Sequence, residues 1–277
     1  MNRSIIAAFA AVFMLALFPA AMAFTEDNTV TISGDPCSLP LAKALAEEFV
    51  KMKKGVNFAY DPSSCTLGVY KASEGKADIG VSTQNGLSEN LPKDAVTTVI
   101  AKSPVVFIVN KANPVSALTY DQLKGIYDGT IKNWKDVGGA DMPILNVMLA
   151  PCVKHMVNKK LTMYGKEVEE LRPEGKVNPV EYTNKLVMES EAAIGQQIYG
   201  YESDDVKILK VDGMMPTSKN VGDIYRFYQD YNIVTKGEPK GVLKEYIDFA
   251  FSKKGAKVIE GFSHVLVAAE TEHKHHH

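Results

Sequence analysis

The strongest constraint on the fold comes from residues 28–83, where strand-like and helix-like segments alternate. Three short segments rich in β-branched residues predict strands, and they read NTVTISG, GVNFAY and ADIGVST. Between the first two, apolar residues recur at the spacing of one helix face, namely Leu41, Leu45, Phe49 and Met52. The segment TLGVYKASEGK predicts a second helix before the third strand. A βαβαβ order favours a parallel sheet whose turns gather at the carboxyl ends of the strands.

A second group of strands and helices follows in the sequence. The apolar segment SPVVFIVNKANP predicts a buried strand. Thr119 is the expected N-cap of the next helix, whose apolar face holds Leu123, Ile126 and Tyr127. Further strands are predicted in four segments, MPILNVMLAPC, EAAIGQQIYGY, VKILKVDG and YNIVTKG. The chain closes with the helical pattern GVLKEYIDFAFSKKGAKVIEGFSHV.

These segments predict two lobes with a cleft between them. We expect residues 24–105 and 234–277 to form the first lobe and residues 106–233 to form the second. The closing helical region is expected to return and pack on the first lobe. Two strands would then cross between the lobes.

Residues 1–23 have the pattern of a secretory signal peptide. Arg3 precedes an apolar run from Ile5 to Phe18, and a small-residue site ends at Ala23. We expect cleavage there and export to the periplasm or the cell surface. An uncleaved anchor is disfavoured because the apolar run is shorter than the ~20 residues of a membrane span, and no later segment is suited to cross a membrane. The formal net charge of −2 gives no electrostatic reason to expect nucleic acid as a partner.

Three segments carry a family resemblance, in the order KADIGVST, LTYDQLKGIYDGTIKNWKDVGG and EYIDFAFSKKGAKVIEGFSHV. They resemble segments of phosphate-binding-protein-like periplasmic solute-binding proteins, and the resemblance spans most of the chain after the signal peptide. It implies an α/β fold of two lobes, each a mostly parallel sheet flanked by helices, with the ligand cleft between the lobes. It also implies delivery of a small ligand to an ABC permease.

The resemblance implies ligand contacts in three turns, at residues 33–38, 63–66 and 150–155. Such turns present backbone N–H groups and hydroxyls at helix N-termini. Asp78, at a matching family position, is expected to accept the hydrogen of a protonated oxyanion. The candidate ligand-binding residues are Ser33, Gly34, Cys37, Ser38, Ser64, Cys65, Thr66, Asp78, Cys152, His155 and Tyr225. Two departures weaken the phosphate clamp, because Gln229 stands where an arginine is expected and Asp35 would repel a dianion.

All three cysteines fall in these turns, one in each. Cys37 and Cys65 follow neighbouring strands, which suits a disulfide in an exported protein and would leave Cys152 as a free thiol. The ligand would then be a phosphate-like oxyanion. Alternatively, Cys37, Cys65, Cys152 and His155 would bind a soft metal ion or a metalloid through thiolate and imidazole. Reduced, merely packed cysteines are the third interpretation, and no other cofactor is expected.

No enzyme motif accompanies these residues. The chain lacks Gly-x-Ser-x-Gly, His-Glu-x-x-His and a Walker-type loop. We therefore expect a binding protein rather than an enzyme. The alternative on the same fold is a surface or partner-binding protein without a transport role, whose cleft would bind nothing small.

Overall fold

The computed structural model describes residues 28–163, 168, 170–171 and 178–267, so the predicted signal peptide lies outside the described residues. The strands are β1 Thr29–Gly34, β2 Asn57–Pro62, β3 Ile79–Thr83, β4 Ala95–Asn110, β5 Ala117–Leu118, β6 Leu145–Val147, β7 Ala193–Ile198, β8 Val206–Val211, β9 Tyr228–Lys236 and β10 Val265–Leu266. The helices are α1 Leu39–Met52, α2 Cys65–Ser73, α3 Tyr120–Asp128, α4 Pro151–Lys160, α5 Pro179–Glu189, α6 Gly241–Ala250 and α7 Lys253–Gly261. Within the described ranges, no helix has the length and apolar character that crossing a membrane requires.

The first three strands and two helices form the predicted βαβαβ arrangement. β1 lies between β2 and β3 and pairs in parallel with both, which confirms the prediction. α2 packs closely on β1 because Gly68 has no side chain, and a Cβ there would lie 2.9 Å from the Gly34 Cα. The carboxyl ends of the three strands and the N-termini of α1 and α2 therefore meet at one edge of the sheet.

Two crossing strands, β4 and β9, join this first unit (β1–β3, α1, α2, α6 and α7) to a second unit (β5–β8 and α3–α5). β9 pairs antiparallel with β3 and β4, and β4 continues antiparallel along β7 and β8. In the second unit β6 pairs in parallel with β7, and β5 with β8. The sheet is therefore mixed, with parallel strands in each unit and antiparallel strands between them. β4 begins at Ala95, earlier than the predicted strand, because its first half pairs with β9.

An apolar cluster around α1 forms the core of the first unit. Leu41, Leu45 and Phe49 are buried as predicted, whereas Met52 is 50% exposed because α1 ends at that residue. Residues of α6 and α7, Tyr246 among them, belong to the same cluster, so the closing helices pack on the first unit. The lobe boundaries given above stay predictions.

The second unit has its own apolar core, to which α3 contributes as predicted. Gln122 N donates to Thr119 Oγ1 at 3.1 Å and Thr119 N donates to Gln122 Oε1 at 2.9 Å, a reciprocal cap that fixes the start of α3. Leu123, Ile126 and Tyr127 are buried in the cluster of this unit. The predicted N-cap and apolar face of this helix are thus confirmed.

Candidate functional site

The turns before α1, α2 and α4 meet in the cleft between the two units. The thiol of Cys152, in the first turn of α4, hydrogen bonds to Cys65, the first residue of α2. Cys37, from the turn before α1, is buried in the apolar cluster of the second unit, and Cys152 packs against the same cluster. The three turns expected to contact a ligand are therefore neighbours in space.

The turn before α1 satisfies its own backbone donors. The Asp35 carboxylate accepts hydrogen bonds at Oδ1 from Cys37 N at 2.7 Å and Ser38 N at 3.1 Å. Ser38 Oγ accepts from Asp35 N and donates to Val81 O, at 3.2 Å and 3.1 Å. Burial raises the pKa of Asp35, although these hydrogen bonds oppose the rise. An anion would find few free donors at this helix N-terminus.

The turn before α2 combines a capped helix with a reactive thiol. Leu67 N donates to Ser64 Oγ at 3.1 Å, which makes Ser64 the N-cap. The hydrogen bond from Cys152 lowers the pKa of Cys65 to about 7, with further hydrogen bonds from Thr66, against the opposing effects of burial and Asp35. Cys65 is therefore the residue of the pair that carries the thiolate.

The turn before α4 leaves its helix N-terminus open. Ala150 occupies the N-cap position and has no side chain that could cap the helix. Gln229 of β9 donates from Nε2 to Cys152 O at 3.2 Å, which ties the start of α4 to a crossing strand. The hydrogen bond to Cys65 and burial raise the pKa of Cys152. Burial likewise raises the pKa of Cys37, so these two thiols stay protonated near neutral pH.

A set of buried polar atoms near the cleft has no hydrogen-bond partner within the described part of the protein. They lie after β1 and β2, at the carboxyl end of β3, and where β4 and β9 pair. The atoms are Asp35 Oδ2, Ser63 Oγ, Ser82 Oγ, Thr83 Oγ1, Ser103 Oγ and Gln229 Oε1. Buried polar groups are almost always paired in folded proteins. These atoms are therefore available to a ligand or to bound water.

The cysteine interpretations need correction. All three cysteines are free, so the predicted Cys37–Cys65 disulfide is wrong, and the thiol that Cys65 contacts is Cys152 instead. No group of three or more metal-ligating side chains occurs among the described residues. His155 is exposed on α4, because its position on the helix turns it toward solvent. The predicted metal site of Cys37, Cys65, Cys152 and His155 is therefore not formed.

Two other candidate residues lie away from the cleft. Asp78 is exposed at the amino end of β3, where its Oδ2 accepts from Thr31 N at 2.8 Å. It is five residues from the carboxyl end, roughly 16 Å along the strand. Tyr225 is buried in the second core and donates its hydroxyl to Val105 O at 2.8 Å. Both side chains have structural partners, so neither fits the ligand contact expected of it.

Three further candidates have local roles in the first unit. Ser33 Oγ donates to Asp61 Oδ2 at 2.8 Å, and Asp61 forms an ion pair with Lys71 at 2.6 Å. Gly34 is required for packing, because a Cβ there would lie 2.5 Å from a methyl group of Val81. Thr66 is exposed and hydrogen bonds to Cys65. Ser33 and Gly34 thus hold the turns in place, and Thr66 stays beside the cleft.

Ser82, Thr83 and Ser103 are not among the residues expected from the sequence to contact a ligand. Each ends or interrupts a buried apolar strand with a small hydroxyl residue. That pattern, a polar residue at the carboxyl end of a parallel strand, is the signal that could have identified Ser82 and Thr83. Ser103 pairs with Gln229 in the β4–β9 register, which only the structure reveals.

Comparisons with known proteins match this chain to the PBP superfamily domain and to phosphate-binding proteins. The chain matches the PBP superfamily domain over residues 20–149. It is similar to the phosphate-binding protein PstS of Bacillus subtilis, with 32% identity over 247 residues that cover 84% of this chain and 78% of the relative. PstS of Borreliella burgdorferi is 24% identical over 251 residues, covering 85% of this chain and 88% of that relative.

Solved structures agree with the observed architecture. The substrate-binding protein of a candidate phosphate ABC transporter from Clostridium perfringens, crystallised with bound phosphate, has a TM-score of 0.77 and 29% identity. The match covers 86% of this chain and 99% of that chain. An ABC-type phosphate transport receptor from Vibrio cholerae has a TM-score of 0.68 and 27% identity, covering 86% of this chain and 100% of that one. These likenesses confirm the predicted α/β fold of two lobes.

Proposed function

We propose that this chain, which belongs to the PstS family of phosphate-binding proteins, is the exported substrate-binding protein of an ABC-type phosphate importer. Its relatives are solute-binding proteins, and the sequence pattern of residues 1–23 supports export. Phosphate is bound in the cleft between the two units. The units close on it by motion about the crossing strands β4 and β9.

The unpartnered polar atoms near the cleft are the observation that carries this proposal. Ser63, Ser82, Thr83 and Ser103 offer hydroxyl donors, and the open N-terminus of α4 offers backbone N–H groups. A tetrahedral oxyanion has four oxygens that accept such hydrogen bonds. Helix N-termini favour anions through their backbone donors and their dipole. Phosphate would therefore satisfy groups that otherwise stay buried without partners.

The charges of the cleft favour a singly charged form of phosphate. Each helix N-terminus contributes the equivalent of roughly half a positive charge, and α2 and α4 both begin here. Asp35 adds a carboxylate, and the nearby Lys154 is already paired with Glu170 at 2.9 Å. The free Oδ2 of Asp35 accepts the P–O–H hydrogen of dihydrogen phosphate. Sulfate carries no such hydrogen near neutral pH and is repelled.

The test is a calorimetric titration of the reduced, exported chain with inorganic phosphate and with sulfate, after unfolding and refolding to remove any bound ligand. Phosphate at 100 times its Kd stabilises the fold by about 2.7 kcal/mol, which raises Tm by roughly 5–10 °C for a chain of this size. Sulfate at the same concentration is expected to leave Tm unchanged. Phosphate affinity is expected to fall above neutral pH, as dihydrogen phosphate loses its second proton.

Three results would contradict the proposal. Absence of both binding heat and a Tm shift at millimolar phosphate would favour a surface or partner-binding role on the same fold. Equal affinity for phosphate and sulfate would remove the role given to Asp35. Affinity that rises with pH would show that the cleft prefers the dianion.

A further inference from the structure

Two thiols from opposite sides of the cleft contact each other, and the proposed phosphate site gives this contact no role. Cys65 is the first residue of α2, which packs on β1 and β3 of the first unit. Cys152 lies in the first turn of α4, and its thiol hydrogen bonds to Cys65. We propose that Cys65 and Cys152 are a redox-modification site, at which a reversible disulfide locks the two units together.

The structure favours this pair over the other two pairings. Cys65 and Cys152 are both half-buried, so a small oxidant can reach them, whereas Cys37 is 3% exposed and packed in the apolar cluster of the second unit. Ser64 fixes the start of α2, and Gln229 fixes the start of α4 through the Cys152 carbonyl. These contacts hold the two sulfurs beside each other in this arrangement of the two units.

The surroundings of the pair suit thiol–disulfide exchange. Cys65 is at a helix N-terminus and accepts hydrogen bonds from the Thr66 hydroxyl and backbone, and both features stabilise a thiolate. Cys152 keeps its proton, because a second negative charge beside Cys65 and Asp35 would be repelled. Cys65 is thus suited to attack a small disulfide, and Cys152 is suited to resolve the mixed disulfide that forms.

The oxidant is a small-molecule disulfide of the glutathione class. The Cys65 thiolate attacks one of its sulfurs, which breaks that S–S bond, forms a mixed disulfide and releases one small thiolate. Cys152 then loses its proton and attacks the Cys65 sulfur, which forms the Cys65–Cys152 bond and releases the second small thiolate. Two protein thiols are oxidised, and one small disulfide is reduced to two thiols.

The bond would control access to the cleft. It joins α2 to α4 and so prevents the separation of the units that lets a ligand enter. If the crosslink lowers the open fraction to ~1% of its reduced value, phosphate enters and leaves about 100-fold more slowly, because exchange passes through the open form. This effect on phosphate rests on the proposed function, whereas formation of the bond does not.

The experiment exposes the reduced, ligand-free chain to oxidised glutathione and then alkylates the remaining thiols. Peptide mapping without reductant identifies the bond, and the affinity and the rate of phosphate binding are measured by titration and stopped flow on the same samples before and after reduction. The variants are Cys65→Ser, Cys152→Ser and, as the matched control outside the pair, Cys37→Ser. We expect a Cys65–Cys152 peptide in the wild type and in Cys37→Ser, and in neither of the other two variants.

The outcomes separate this inference from the proposed function. A Cys37–Cys65 bond, a stable mixed disulfide at Cys65 or three alkylated thiols would overturn the inference, whatever the phosphate titration shows. Formation of the bond with an undiminished rate of phosphate binding would overturn the locking role. A crosslinked chain whose reduced form binds no phosphate would overturn the proposed function and leave the redox site supported.

Discussion

Neither α1 nor α4 has a side-chain N-cap hydrogen bond, but the turns that lead into them at the cleft differ. In the turn before α1, the Asp35 carboxylate accepts the Cys37 and Ser38 amide hydrogens, and the Ser38 hydroxyl accepts from Asp35 N. At α4, Ala150 provides no side-chain cap at all. One helix thus carries an anion of its own, and the other is free to bind an anion from outside. A turn that resembles a ligand turn in sequence is therefore not always open to a ligand.

The missing side-chain cap of α4 lowers the stability of that helix, and ligand binding there would explain why the cap is missing. An N-cap of Asp, Asn or Ser in place of Ala contributes about 1 kcal/mol to a helix. α4 forgoes this contribution, as expected if its backbone donors are reserved for a ligand. The N-cap of α1, Ser38, makes no side-chain capping hydrogen bond either, but the Asp35 carboxylate orders the turn before this helix and lies beside the ligand. We therefore expect the N-terminus of α4 to bind the anion, and Asp35 in the turn before α1 to select its protonated form.

Ala150→Asp is the change expected to have the largest effect, because it places a carboxylate at the N-cap of α4. The new carboxylate would cap α4 and raise stability by about 1 kcal/mol. It would also occupy the amide donors and repel the ligand, at a cost of at least ~3 kcal/mol, or more than ~100-fold in phosphate affinity. Calorimetric titration and thermal unfolding of the same sample measure the two effects.

Ala150→Asn is the matched control for this change. The amide caps the helix equally well but carries no charge, so we expect a gain in stability and a loss of affinity of only about tenfold. If Ala150→Asp binds phosphate as well as the wild type does, the α4 N-terminus is not part of the ligand site. The comparison between the two helices would then have no functional meaning.

Asp35→Asn tests the other side of the comparison. The amide oxygen can still accept from Cys37 N and Ser38 N, so the α1 turn is retained. The repulsion of fully ionised anions is lost, and we expect the preference for phosphate over sulfate to fall by about tenfold, or roughly 1.4 kcal/mol. Competition of sulfate against bound phosphate measures this preference. Unchanged discrimination would show that Asp35 serves the fold alone.

The same variant should alter the pH dependence of stability. The pKa of folded Asp35 lies above its usual value of 3.8, so the folded state holds this proton to higher pH than the unfolded state does. Its contribution to stability is therefore present at low pH and is lost as pH rises through the folded pKa. We expect the wild type to lose stability relative to Asp35→Asn over that interval, measured by urea unfolding at a series of pH values. Parallel curves for the two proteins would contradict this expectation.

Cys152→Ala is expected to have a smaller effect, confined to the thiol of Cys65. In the wild type, alkylation of Cys65 should reach half its maximal rate near pH 7, because the Cys152 hydrogen bond stabilises the thiolate. Removal of that donor should raise the pKa of Cys65 toward 9.0, although Thr66 still donates and Asp35 still opposes ionisation. Cys37→Ser is the control and should leave the midpoint close to the wild-type value. An unshifted midpoint in Cys152→Ala would mean that the two thiols do not interact in solution.

The fold could be predicted well from the sequence, because the spacing of apolar residues directly reflects which face of each helix or strand is buried. The alternation of residues 28–83 requires a parallel βαβαβ unit, and the cap at Thr119 is a local interaction between residues three apart. The site was harder to predict from the sequence, because it depends on contacts between segments that are distant along the chain. Nothing local indicates that Cys65 meets Cys152 rather than Cys37, or that Gln229 lies beside Ser103.

The residue for which we expect no effect on binding is Asp78, which the family resemblance had favoured as a ligand contact. It lies at the amino end of β3, exposed, with its carboxylate bonded to Thr31 N at 2.8 Å. Asp78→Asn should leave phosphate affinity within about twofold and lower stability by less than ~1 kcal/mol, since an exposed hydrogen bond contributes little. A tenfold loss of affinity would mean that the ligand contacts the edge of the sheet opposite the turns. In that case neither α1 nor α4 could be the helix that receives the anion.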